Sequence, residues 1–103
     1  MIDKKDEIEN RLREYIDTTN YFANRVIYKR EEIIKLEIKL SNPNITDRER
    51  NRINLKIKHR LWWIDNIEES YYDCIYRCNR YIKLVSNQID ISDILEKLEN
   101  ENK

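Results

Sequence analysis

Glycine is absent from this 103-residue sequence, and proline occurs once. Phosphate-cradling loops and dinucleotide fingerprints need the positive φ and close backbone approach that glycine supplies, so this lack argues against the common nucleotide-binding enzymes. Long apolar runs are missing as well. The longest, Leu61-Trp62-Trp63-Ile64, falls far short of the roughly 20 residues a spanning helix requires, which excludes a transmembrane role. Net charge is zero, with 20 Lys+Arg against 20 Asp+Glu. The single His and two Cys supply neither a four-ligand zinc set nor a nucleophile–base pair at a diagnostic spacing. No catalytic residue, metal or cofactor is therefore expected. The opening Met1-Ile2-Asp3-Lys4-Lys5-Asp6-Glu7 has no apolar segment of the secretory type, which points to a cytoplasmic protein whose thiols stay reduced.

What is present is helical periodicity. A 4-3 spacing runs almost unbroken through Ile8, Leu12, Tyr15, Thr19, Phe22, Val26, Lys29, Ile33, Leu36 and Leu40, the pattern of a coiled-coil seam. A second seam follows through Ile53, Ile57, Arg60, Ile64, Ile67, Tyr71, Cys74, Cys78, Tyr81 and Val85. Between them lies Ser41-Asn42-Pro43-Asn44-Ile45-Thr46, where Pro43 disfavours helix at Asn42 and Thr46 with Glu49 reads as a capping box. Ser86-Asn87-Gln88 is a weaker break, and Ser92 reads as the N-cap of a short last helix carrying Ile94, Leu95 and Leu98.

These signals predict an all-α single domain over 1–103, with helices at about 4–40, 47–84 and 93–100. Two matched seams joined by a short turn make a long antiparallel hairpin, coiled-coil-like, to which the third helix adds a small three-helix bundle. Folding back the turn pairs residues whose numbers sum to about 89, to within one helical turn. Tyr15 then meets Cys74, Leu12 meets Cys78, and the two basic seam residues Lys29 and Arg60 fall on one level.

The two flanks of such a hairpin differ. One carries Ile16, Ala23, Ile27, Ile34 and Ile38 from the first helix and Leu55, Leu61, Trp62, Ile75 and Ile82 from the second. The other carries Thr18, Arg25, Glu32, Lys39, Lys56, Trp63, Ser70 and Arg77, a solvated mixture. The short third helix reaches the apolar flank only near its own start, burying Ile16, Ile75 and Ile82. Toward the turn, Ile27, Ile34, Ile38, Leu55, Leu61 and Trp62 are left uncovered, a patch that soluble monomers rarely expose. A partner is expected there, either a second copy in a homodimer or a different protein.

Other residues invite narrower readings. Adjacent tryptophans diverge by about 100° on a helix, so Trp62 reads as an interface anchor and Trp63 as a ring stacked under Arg25. Lys29 and Arg60 either snorkel to water, form an ion-pair layer with Glu31, Glu32 or Asp65, or make an anion site that a small helical enzyme would use. Cys74 and Cys78 read as core thiols. Arg48, Arg50, Arg52, Lys56, Lys58 and Arg60 are the nucleic-acid alternative, weakened by overall neutrality and by the acidic Asp65, Glu68, Glu69 and Asp73 that follow. Tyr21, Tyr28, Tyr72 and Tyr76 lie off the seams and offer contact area.

Arg13 and Arg30, seventeen apart, with the later Asp47-Arg48-Glu49, resemble in spacing the all-helical chorismate mutases. Ser41 stands where that family has its lysine, so membership is not inferred. In its Ile-, Asn- and Lys-rich composition the chain resembles small proteins of phages and mobile elements. The expectation is a non-enzymatic protein–protein interaction protein of that kind, a regulator or inhibitor.

Overall fold

The computed structural model describes residues 3–103, and these form three helices: α1 (Lys4–Leu40), α2 (Asp47–Ser86) and α3 (Ser92–Glu101). No strand occurs among the described residues. The expected all-α fold is the one observed, with α1 and α2 packed on each other as an antiparallel hairpin. Boundaries differ by two residues or fewer from those the sequence predicts. The local causes are visible at each end. Thr46 Oγ1 accepts from Glu49 N at 3.2 Å, half of the predicted capping box, and Thr46 O accepts from Arg50 N at 2.9 Å to start α2. Just before it, Asn42 Oδ1 accepts from Asn44 N at 3.0 Å, an Asx turn around Pro43.

The start of α3 corrects the sequence reading. Ile91, not Ser92, is the capping residue, and it offers no side-chain cap. The carboxylate of Asp90 takes that role, accepting from both the backbone N–H of Ser92 (3.0 Å) and its hydroxyl (2.7 Å). An ionised oxygen is the stronger acceptor, and from two residues upstream it takes both the N–H and the hydroxyl of Ser92.

The chain divides into two compact units, one made of residues 3–20 with 72–103 and one of Tyr21–Tyr71. In the first, all three helices contribute to a core of Ile8, Leu12, Val85, Ile91, Ile94 and Leu98. Charged pairs fasten α3 to α1 around it: Lys97 to Glu9 at 3.0 Å and Arg13 to Glu101 at 3.1 Å. At the Tyr15–Cys74 level the Cys74 thiol donates to Tyr15 O at 3.6 Å, while the Thr19 hydroxyl lies 3.1 Å from the sulfur. Thr19 thus meets a residue about one turn farther along α2 than the turn-derived pairing places it, which is within its stated margin.

The second unit is a two-helix hairpin. Ile33, Leu36, Ile64 and Ile67 are buried between its helices. Every seam position of α1 and α2, from Ile8 to Leu40 and from Ile53 to Val85, is buried or half-buried. The 4-3 spacing therefore locates the packed face of both helices, as expected when apolar side chains recur at the helical period.

Candidate functional site: an uncovered apolar flank

Two packed helices bury one stripe each, and any apolar residue outside those stripes needs a third element or remains in water. In the Tyr21–Tyr71 unit no third element exists. Ile34 is 55% exposed, Leu61 50% and Trp62 55%, and Ile27, Ile38 and Leu55 are exposed as well. Ile34 of α1 and Leu61 of α2 line one open groove of about 410 Å³, floored by Ile33 and Ile64. Charged groups rim it. Arg30 Nη2 donates to Glu68 Oε1 at 2.7 Å across the two helices, and Asp65 stands on the same edge. An apolar floor with a polar rim is the anatomy of a protein–protein contact rather than of an enclosed ligand pocket.

Trp62, next to Leu61 in sequence, does not line the groove and sits in an aromatic cluster. Its ring stacks on His59 with centroids 6.3 Å apart and planes 6° from parallel, and meets Trp63 edge-on at 4.9 Å. Trp63 Nε1 donates to His59 Nε2 at 3.2 Å. The expected stack of Trp63 under Arg25 is not formed: Arg25 stands over Tyr21 at 5.6 Å and donates to its hydroxyl at 3.1 Å. Both observed pairs are four apart on one helix, where neighbours meet without any demand on interhelical register.

The Lys29–Arg60 level of the seam holds an ion-pair cluster. Arg60 Nε donates to Glu32 Oε2, Lys29 Nζ lies 3.9 Å from Glu32 Oε1, and Arg60 Nη1 donates to Lys56 O at 3.2 Å. The donors that an anion would use are thus turned onto a carboxylate of α1. Arg48, Arg50, Arg52, Lys56 and Lys58 are all exposed, whereas Arg60 is half-buried. At helical spacing they are distributed around α2 rather than along one edge, so they do not build the single basic stripe that tracks a phosphate backbone.

In the three-helix unit the expectation for Ile16, Ile75 and Ile82 needs correction. They are half-buried, because α3 leaves a cleft of about 530 Å³ lined by these isoleucines with Leu12, Cys78 and Leu95. Helix α3 inserts Ile94 and Leu98 into the core and turns Leu95 toward the opening. Ile91, Ile94 and Leu98 centre the buried face of α3, and Leu95, at its edge, borders the opening. Ile91, 2% exposed, is a core residue that precedes the helix but continues its 3-4 spacing, Ile91–Ile94–Leu98, and that spacing could have located it. Cys74 is buried and Cys78 half-buried, and both are free thiols. Burial, and then proximity to Cys74, pushes the Cys78 thiol above its ordinary value.

No helix among the described residues is long and apolar enough to cross a membrane. The chain matches no protein-family model, no curated protein and no solved structure.

Proposed function

We propose that this is a non-enzymatic interaction protein that docks a protein partner on the apolar flank of its hairpin unit, with Ile27, Ile34, Ile38, Leu55, Leu61 and Trp62 as the contact residues. One observation carries the reading: Ile34 and Leu61, from different helices, converge on one groove while each remains about half exposed. Side chains so placed cost free energy in water, about 25 cal/mol per Å² of apolar surface, and a covering surface recovers it. Trp62 adds a large rigid ring of the type enriched in binding hot spots. Such a protein works by occupying a surface, as a regulator or inhibitor does, and needs no bond-making chemistry of its own.

The test is site-specific photo-cross-linking in the cell that makes the protein. A benzophenone side chain at Leu61 should join the chain to one defined protein species, whether its own copy or another. The same group at Lys39, on the polar flank, should not. Equal labelling from both positions, or none from Leu61, overturns the reading.

A further inference from the structure

We infer that the occupant of this flank is a second copy of the chain, laid antiparallel about a two-fold axis that passes between Leu61 and Trp62 of α2. The inference rests on the docking reading above and adds the identity and direction of the partner. Its basis is the charge order along α2. Lys58 stands three residues before Leu61, and Asp65 three residues after Trp62. Lys58 and Asp65 are seven apart, two turns of helix, so they share a face and bracket the two exposed apolar side chains symmetrically. Both are exposed, and neither makes an ion pair within the chain among the described residues.

A two-fold interface is isologous: if residue i touches residue j of the copy, then j touches i. With the axis at the centre of the Lys58–Asp65 interval, Lys58 faces the copy's Asp65 and Asp65 faces the copy's Lys58. Leu61 packs beside the copy's Trp62, and Ile34 of each α1 closes the groove from the side. A parallel arrangement would set Lys58 against Lys58 and Asp65 against Asp65, two like-charge contacts in place of two attractive ones. The sequence therefore distinguishes the two directions. A zero net charge removes any long-range repulsion between copies. Opposite charges at mirror positions about one contact centre complement each other in an isologous pair, whereas a foreign partner gains nothing from that symmetry.

Sedimentation equilibrium of the full chain and its charge variants tests this. The natural chain should dimerise. Lys58→Glu alone and Asp65→Lys alone should each weaken the dimer by roughly tenfold at low salt, since each creates two repulsive contacts. An equimolar mixture of the two variants should regain association, because both crossed pairs become attractive. All three samples should show the same helicity, as the substituted sites are in water.

Variants that stay dimeric, or a mixture that fails to regain association, overturn the pairing. So does a natural chain that remains monomeric up to its solubility limit. In that last case the apolar dye bis-ANS separates the two readings. Dye binding lost on Ile34→Glu with Leu61→Glu leaves the flank available to a different protein. Dye binding unchanged by those substitutions removes the docking reading as well.

Discussion

Arg60 of α2 is hydrogen-bonded through Nε to the carboxylate of Glu32 in α1, and the same carboxylate draws in Lys29. Two cations at neighbouring seam positions would otherwise repel across the helix interface. One acid between them makes the layer tolerable, and all three side chains are less than a third exposed. Replacing Glu32 by Ala should lower the unfolding free energy by about 1–2 kcal/mol, chiefly through the half-buried charges left without a partner. Adding Arg60→Met to that variant should recover part of the loss. Urea titration of the single and double variants measures the non-additivity directly.

The three-helix unit should respond most to loss of Leu12, which is 1% exposed at the centre of its core. Leu12→Ala should cost about 2–4 kcal/mol, the usual range for deleting a buried leucine side chain. Ile38→Ala, at a position 65% exposed, should change stability by no more than about 0.5 kcal/mol in the monomer. Thermal or urea unfolding of both variants at low protein concentration provides the comparison.

The Ser92 hydrogen bonds to Asp90, side chain first and backbone second, hold its carboxyl below the ordinary value of 3.8. A carboxyl with a depressed folded value stabilises the fold above the unfolded value, and that contribution disappears as pH falls through the lower folded value. Asp90→Asn should therefore be less stable than the natural chain at neutral pH, and the gap should close on acidification below about pH 4. Equal stability at neutral pH would show that the Asp90 carboxylate does not hold the start of α3.

Cys78 behaves in the opposite sense. Its thiol lies above the ordinary 9.0 because burial disfavours the thiolate, reinforced by Cys74. A raised folded value gives stability that is complete below the unfolded value and declines as pH rises through the folded one. Since the thiolate is the nucleophile, iodoacetamide should modify Cys78 more slowly in the folded chain than in urea-unfolded chain at the same pH. The alkaline fall in stability should be smaller in Cys78→Ala. Both are read by mass spectrometry and by unfolding curves over a pH series.

Repetition carried the correct parts of the sequence reading. Ile8 through Leu40 and Ile53 through Val85 recur at three and four residues, and such recurrence has one packing solution, a face turned toward the other helix. The uncovered residues Ile34, Leu61 and Trp62 were legible for the same reason, as apolar positions outside that face. Isolated features were less legible. Ile91 lies before the helix that its 3-4 spacing with Ile94 and Leu98 extends, and Ser92 donates to Asp90 instead of capping the helix itself. Arg25 could reach a tryptophan across the hairpin or a tyrosine on its own helix.

The division between chain-local and whole-fold information follows from the range of the forces. Helix positions, the turn at Pro43 and the buried stripes depend on residues within about one or two turns of each other, so the amino-acid order settles them. The sharing of Glu32 between Lys29 and Arg60, the Arg30–Glu68 bridge and the partial cover that α3 gives Ile16, Ile75 and Ile82 depend on interhelical register and on rotamers. Several such choices lie within a kcal/mol or so of one another. Only the assembled helices, by excluding some rotamers and bringing distant charges into reach, select among them.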